Sequence, residues 1–264
     1  MSSQLFPAQL KYWRGRRGLS QLDASLMAGI SARHLSFLET GRARPSEDMA
    51  LRLLTILDVP LRHRNRMMLD AGFKASFPEP AFTAMDPAIR FAIERMLEQQ
   101  EPYPMTVLNA CYDVIDSNQA MKHLLSCFIA ERASLTTPLN LFSLLFDPRL
   151  ARTFVKNWEQ VAGAMLLRLH REMLERTEDA GLKQLYEKVL LYPDVPQDWR
   201  RPDFSMPSAP TMAVVLEKGD LTLQFFTTTT IFNAPQQVTL DEIRLESYFP
   251  LDEQTRVACK KMAA

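Results

Sequence analysis

The first 74 residues alternate between short apolar stretches at helical spacing and single polar or glycine breaks, a pattern that predicts five short helices. Serine stands at the expected N-cap of the second, third and fourth helices, as Ser20, Ser31 and Ser46. Asp23, three residues after Ser20, completes a sequence close to a capping box. The pattern therefore predicts an all-α N-terminal domain over residues 1–74.

The second and third of these helices are joined by a tight turn at Gly29 and Ile30. We expect Leu22, Leu26 and Met27 to form the buried side of the second helix. For the third helix, we expect an inward face of Leu35 and Leu38 and an outward face of Ala32, Arg33, Ser36 and Phe37. With the basic exit loop of Arg42, Arg44 and Pro45, this arrangement is typical of a helix-turn-helix, whose second helix enters a DNA major groove. An ordinary pair of packed helices is the alternative.

The remaining chain predicts a different architecture. Residues 75–86 are punctuated by proline and are expected to form a linker. The domain 87–264 then begins with a helix at Pro87–Gln100 and two strands centred on Val107-Leu108 and Val114-Ile115. Further helices are expected at 118–125, 140–146, 150–177 and 180–191, and strands at 211–217, 221–232 and 243–249. Strands from both ends of the domain with helices between them indicate an α+β fold.

Charge is distributed unevenly along a chain of zero net charge. Residues 1–77 contain 12 Lys and Arg against 6 Asp and Glu, and the rest of the chain is correspondingly acidic. A basic N-terminal domain on an acidic body is what a DNA-binding domain joined to a non-DNA domain would show. No stretch of the sequence approaches a membrane span, so no membrane partner is expected. Three widely spaced cysteines fit a reducing cytoplasm.

Residues 19–45 resemble the Cro/C1-type (XRE) helix-turn-helix through Gln21, Ser25, Gly29, Ile30, Leu35, Glu39 and Gly41. The wider string LKYWRGRRGLSQLDASLMAGISARHLSFLETGRARPS, with LDVPLRHRNRMMLDAGF after it, is similar to the MmyB-like branch of that family. The segments PMTVLNACYDVIDSNQAMKHLL and NLFSLLFDPRLARTFVKNWEQVA resemble the PAS-like domain that this branch carries. Ser25 departs from the alanine that is usual at its position, but it still fits a close helix crossing.

The resemblance implies a sequence-specific, DNA-binding transcription regulator, and it implies that Arg14 pairs with Glu39. A phosphate contact by Arg14 is the alternative. It also implies that Gln21 contacts a phosphate and braces the recognition helix. The residues expected to contact DNA are Gln21, Ser31, Ala32, Arg33, Ser36, Phe37, Arg42 and Arg44. Within this set, Arg33 can fork onto a guanine, and Arg42 and Arg44 should contact phosphates. One recognition helix reads few base pairs, so we expect a homodimer on a palindromic operator.

No catalytic constellation or metal-ligand cluster is found in the sequence, so no enzyme activity, catalytic residue, metal or resident cofactor is expected. His170 is interpreted as packed or solvated, and Cys111 and Cys127 as small buried residues. An enzyme with an accessory DNA-binding head remains an alternative.

The second domain resembles fatty-acid-binding, PAS-like sensors, and this implies a small apolar ligand such as a fatty acid or another acyl compound. Candidate apolar contacts are Phe142, Phe146, Trp158, Met165 and Phe225, and candidate partners of a carboxylate are Arg149, Arg152 and Arg168. The large apolar residues could instead simply fill the core. In that case the domain would serve only for dimerisation or for binding a protein partner.

Overall fold

Serine caps and glycine ends set the boundaries of the N-terminal helices, as the sequence pattern predicts. In the computed structural model, which describes residues 5–176, 179–200 and 213–263, the Ser20 hydroxyl accepts a hydrogen bond from the Asp23 amide at 3.1 Å. The Asp23 carboxylate accepts one from the Ser20 amide at 3.2 Å, so the capping box is complete. Gly29 ends this helix with φ of 66°, a conformation that costs a residue with a side chain more than it costs glycine. The predicted caps at Ser31 and Ser46 are also confirmed.

Contacts divide the described residues into two compact units, and the first comprises those that fall within Met1–Ala84 and Asn233–Asp241. Its five helices are α1 Leu5–Arg16, α2 Gln21–Ala28, α3 Ala32–Glu39, α4 Glu47–Ile56 and α5 Leu61–Asp70. Their core is built around Leu10, Trp13, Leu35, Leu38 and Leu53. The later segment joins this unit through hydrogen bonds from the Val238 amide to the Pro78 carbonyl and from the Thr239 hydroxyl to the Pro80 carbonyl.

The prediction of which residues form the inner face of α2 is wrong. Leu22, Leu26 and Met27 are 58%, 69% and 55% exposed, whereas Ala24, Ser25 and Ala28 are buried. Small side chains occupy the inner face because α2 packs against both α3 and α4. The Ser25 hydroxyl is satisfied by the Leu22 carbonyl at 2.8 Å, so a serine is accommodated in this crossing without an unpaired polar group.

The second unit comprises Met85–Phe232 with Glu242–Ala264 and is an α+β, PAS-like domain, as predicted. Its antiparallel sheet has the order β2-β1-β5-β4-β3. The strands are β1 Met105–Leu108, β2 Val114–Ser117, β3 Ala213–Lys218, β4 Leu221–Thr230 and β5 Arg244–Pro250. Its helices are α6 Pro87–Gln100, α7 Gln119–Cys127, α8 Leu141–Phe146, α9 Trp158–Glu175, α10 Ala180–Leu190 and α12 Glu253–Ala263. The short helix α11 Val238–Glu242 belongs to the first unit up to Asp241.

The prediction of a single helix over residues 150–177 is also wrong, because the segment is divided into a short 3-10 turn and a longer α-helix. A 3-10 turn covers Ala151–Phe154, and α9 begins only at Trp158. Between them, Val155 forms a bridge with Leu216, and the Asn157 side chain binds the backbone of β3 at both Ala213 and Val215. Hydrogen bonds to the sheet therefore replace those of a continuous helix. The predicted strand at 211–217 begins at Ala213 in the described residues, and its first two positions lie outside them.

Candidate DNA-binding surface and ligand cavity

The third helix, α3, is anchored to the first unit by a buried ion pair at its C-terminal end. Arg14 donates two hydrogen bonds to Glu39, at 2.6 and 3.1 Å, and a third to the Leu19 carbonyl at 2.7 Å. The Gln21 amide donates to the same carboxylate at 2.8 Å. This confirms the internal Arg14–Glu39 pair and the bracing role of Gln21.

The carboxylate of Glu39 stays ionised in spite of its burial. Desolvation opposes ionisation, but hydrogen bonds from Arg14 and Gln21 and the Arg14 charge outweigh it and hold the pKa of Glu39 below its ordinary value. The hydrogen bond with Glu39 likewise raises the pKa of the Arg14 guanidinium. Charge-assisted, bidentate hydrogen bonds of this kind fix orientation as well as position. They therefore fix the orientation of α3 relative to α1.

The outward face of α3 carries a small cluster of arginine and aromatic side chains. The Arg33 guanidinium lies 5.3 Å from the centroid of the Phe37 ring, and that of Arg42 lies 6.0 Å from the same centroid. Arg44 follows in the exposed loop after α3. In the part of the chain that the structure describes, none of these three arginines forms an ion pair, so their charge is available to a polyanion.

The remaining predicted DNA-contacting residues lie on α3, at its N-cap, or at the start of α2. Ser31 caps α3 by accepting from the His34 amide at 3.1 Å. Ala32 and Ser36 are half-buried on α3, and Gln21 lies in the first turn of α2 with its amide turned toward Glu39. All eight predicted residues therefore lie within α2, α3, the N-cap of α3 and the loop that follows α3.

The second unit contains a cavity of about 90 Å³ between the sheet and the helices α7, α8 and α9. A single water molecule needs about 10–15 Å³ on the same measure, so the cavity has room for a ligand of roughly six to nine water-sized groups. The lining is apolar over most of its extent and consists of Val114, Met121, Leu124, Leu125, Phe128, Leu141, Leu144, Leu145, Ala151, Val161, Met165, Val214 and Leu216, with Thr106, Thr227, Glu246 and Tyr248 as the polar members.

Few of these lining residues are among those predicted from the sequence. Of the predicted apolar contacts, Met165 lines the cavity. Phe142, Phe146 and Phe225 are fully buried in the surrounding core. The Trp158 ring is partly buried, and its indole nitrogen donates to the Leu145 carbonyl at 2.7 Å.

The arginines proposed as carboxylate partners are engaged elsewhere. Arg149 pairs with Asp147 at 2.7 Å. Arg152 pairs with Asp194 at 3.1 Å and lies 3.8 Å from the centroid of the Trp158 ring. Arg168 lies between two carboxylates, 3.5 Å from Glu172 and 3.7 Å from Glu246. None of the three is among the described residues that line the cavity.

A charged cluster adjoins the polar side of the cavity. Arg168 and Arg244 each place the guanidinium 5.1 Å from the centroid of the Tyr112 ring. Glu172 accepts from the Tyr112 hydroxyl at 2.5 Å and from Arg244 at 2.8 Å. Burial raises the pKa of the Glu246 carboxyl, and the charges of Arg168 and Arg244 offset this effect only in part.

The interpretation of His170 as packed is confirmed, whereas Cys111 and Cys127 are half-buried rather than buried. The His170 ring packs against those of Tyr186 and Trp199, with centroids 5.6 and 5.2 Å apart, which confirms the packed interpretation. Burial, the largest effect, raises the pKa of the Cys111 thiol to about 11, and that of Cys259 likewise, so neither thiol is activated as a nucleophile. The described residues contain no group of acidic, histidine and cysteine side chains that could hold a metal ion. No described helix is long and apolar enough to cross a membrane.

Comparison with known proteins assigns both units. A helix-turn-helix family model matches residues 10–63, which, with the capped helix pair and free arginines, defines a DNA-binding transcription regulator. A second model, the MmyB-like transcription regulator ligand binding domain, matches residues 89–262. Because this match covers more than half of the chain, the protein belongs to the MmyB-like transcription regulators.

Similarity beyond these families is limited. No curated protein matches the chain. A solved structure described as that of an RNA-binding light-oxygen-voltage receptor is similar over 97% of this chain and 56% of that chain, at 14% identity and a TM-score of 0.30. This chain therefore spans little more than half of that receptor, and a likeness of this size does not bear on function.

Proposed function

We propose that this regulator binds a palindromic operator as a homodimer in the cytoplasm and that a small apolar ligand in the second unit modulates its affinity for DNA. The observation that carries the proposal is the apolar cavity between the sheet and helices α7 to α9. A domain that served only to dimerise would have no need of an unfilled apolar space, because each missing contact costs stability.

On the DNA side, the proposal assigns base contacts to the outward face of α3. Arg33 can donate two hydrogen bonds to a guanine, while Ala32 and Phe37 pack against thymine methyl groups and Ser36 hydrogen-bonds a base edge. Gln21 and Ser31 lie at helix N-termini, where free amides and the helix dipole favour a phosphate. Arg42 and Arg44 contact phosphates and so supply affinity without sequence information.

The homodimer follows from the size of this surface. A single eight-residue recognition helix contacts too few base pairs to distinguish an operator from the rest of a genome. Two copies that read half-sites one helical turn apart double the number of base pairs read.

The ligand in this proposal is a fatty acid or another compound with an aliphatic chain. The cavity volume suits a chain of about six to nine carbons, since one methylene occupies about the space of one water. Its binding would act on DNA affinity by changing the spacing or the rigidity of the two DNA-binding units in the dimer.

The test is native mass spectrometry of the purified full-length protein, followed by denaturation and analysis of released lipids. We expect a dimer that retains an aliphatic compound, or an apo dimer whose melting temperature rises with medium-chain aliphatic compounds. A dimer with no retained compound and no melting shift across the panel would refute the ligand and leave a domain for dimerisation or for a protein partner.

A matched pair of variants locates the binding. Val214 lines the cavity, whereas the next residue of β3, Val215, points to the other face of the sheet. Val214→Phe fills the cavity and is expected to abolish the melting shift, and Val215→Phe adds the same volume and is expected to keep it.

A further inference from the structure

Two buried oxygen atoms at the polar side of the cavity have no hydrogen-bond partner. Thr106 and Glu246 are 2% and 4% exposed, and both line the cavity. The Thr106 Oγ1 and Glu246 Oε2 atoms are unpartnered. A buried polar atom left unsatisfied costs about 1–3 kcal/mol, and more when it is charged, so such atoms call for an explanation.

The register of the sheet places these two residues side by side. Thr106 of β1 and Glu246 of β5 are directly opposite each other in the antiparallel ladder, and opposite residues project to the same face. Tyr248, two residues further along β5, lies on that face as well and also lines the cavity. The polar atoms therefore form one patch at one side of an otherwise apolar space.

The charges around this patch do not suit an anion. The other oxygen of Glu246, Oε1, lies 3.7 Å from Arg168, and Arg168 and Arg244 also share Glu172. Two cations thus face two carboxylates, and Arg244 Nη1, a buried nitrogen without a hydrogen-bond partner, belongs to a residue that does not line the cavity. Neither arginine is a lining residue, and no lysine, arginine or histidine lines the cavity in the described ranges. A ligand carboxylate would lie beside Glu246 without a cation of its own.

We infer that the cavity selects an aliphatic ligand whose head group is neutral and donates a hydrogen bond, such as a hydroxyl or a primary amide, over a carboxylate anion. The head group donates to Glu246 Oε2 and pairs with the Thr106 hydroxyl, while the chain lies among the apolar lining residues. This inference rests on the proposed function, because it requires that the cavity bind a ligand.

The experiment compares octan-1-ol, octanamide and octanoate, which share a chain that fits the cavity and differ only in the head group. Binding to the delipidated full-length protein is measured by isothermal titration calorimetry at neutral pH. We expect the alcohol and the amide to bind at least tenfold more tightly than octanoate. Equal or tighter binding of octanoate would overturn the inference and leave the proposed function standing. Failure of all three probes to bind would overturn both.

Two variants test whether the preference for a neutral head group depends on Glu246 and Thr106. Glu246→Gln replaces the carboxyl with an amide of the same shape that can also donate to a ligand carboxylate, so the preference for octan-1-ol over octanoate is expected to fall at least tenfold. Thr106→Val replaces the hydroxyl with a methyl group of similar size and is expected to weaken the binding of octan-1-ol several-fold while the binding of octanoate is unchanged. Thr228→Val is the matched control, since Thr228 is exposed on β4 and does not line the cavity. An unchanged preference in folded Glu246→Gln or in Thr106→Val would contradict the assignment.

Discussion

The ion pair between Arg14 and Glu39 should contribute strongly to the stability of the N-terminal unit. The Glu39 side chain is 1% exposed and that of Arg14 is 14% exposed. Removing one partner of a buried pair costs about 3–5 kcal/mol because the other charge is left uncompensated. Arg14 would keep its hydrogen bond to the Leu19 carbonyl and some solvent, so we expect Glu39→Ala to cost about 2–3 kcal/mol.

The assay follows the unfolding of the first unit alone. Trp13 is buried in its core, while the other two tryptophans, Trp158 and Trp199, belong to the second unit. In a protein with those two replaced by phenylalanine, Trp13 fluorescence reports the N-terminal transition. A loss of 2–3 kcal/mol corresponds to a fall in the melting temperature of roughly 10–20 °C for a domain of this size.

A double-mutant cycle measures the interaction energy between Arg14 and Glu39 separately from their contacts with other residues. Arg14→Leu and Glu39→Leu should each destabilise strongly, and the double variant should cost less than the sum by about 1–3 kcal/mol. Additive effects within about 0.5 kcal/mol would refute the reasoning.

The same pair predicts a pH dependence. The pKa of Glu39 is lowered in the folded state, so its stabilisation is present above the ordinary value of 4.5 and is lost as the pH falls through the folded pKa. The wild type should therefore lose more stability than Glu39→Gln on acidification below about pH 4.5. The same dependence of unfolding free energy on pH in the wild type and in Glu39→Gln would contradict this prediction.

Further predictions concern DNA contacts and helix ends. Arg33→Ala should reduce the preference for one base at one operator position by about 1–3 kcal/mol, as measured by fluorescence anisotropy. Arg44→Ala should instead weaken binding to all DNA sequences alike and reduce by about 1 the slope of the logarithm of the binding constant against the logarithm of the salt concentration. Identical behaviour of the two variants would contradict the assigned roles. Gly29→Ala should destabilise the first unit by about 1 kcal/mol because φ there is 66°, whereas Gly15→Ala, inside α1 with no atom near the new Cβ, should stabilise it by about 0.5–1 kcal/mol in thermal unfolding.

The N-terminal helices could be predicted closely because local signals determine them. Caps at Ser20, Ser31 and Ser46 and the glycine at 29 act within a few residues, and each lies where the sequence pattern put it. The inner face of α2 was assigned by hydrophobicity. A close helix crossing instead requires small side chains on the inner face. The small residues Ala24, Ser25 and Ala28 recur at helical spacing and indicate this face.

The second unit could be predicted only in outline, because distant contacts shape it. The break before α9 depends on pairing of Val155 with Leu216, some 60 residues later, which no local pattern indicates. Helix α12 was missed, although Asp252 caps it by accepting from the Thr255 amide at 2.7 Å and two lysines fill its last turn.

The polar side of the cavity was missed for a related reason. Thr106 and Glu246 become neighbours only through the register of β1 and β5, which lie far apart in the chain. The sequence does not show which residues of two distant strands face each other.

We propose above that ligand binding in the second unit changes the affinity of the first unit for DNA. The most direct measurement is the Kd for an operator selected from random DNA, determined by anisotropy with delipidated protein in the absence and presence of saturating octan-1-ol. We predict at least a fivefold change in the wild type and in Val215→Phe, and no change in Val214→Phe. The same Kd with and without the bound compound in the wild type would contradict the account.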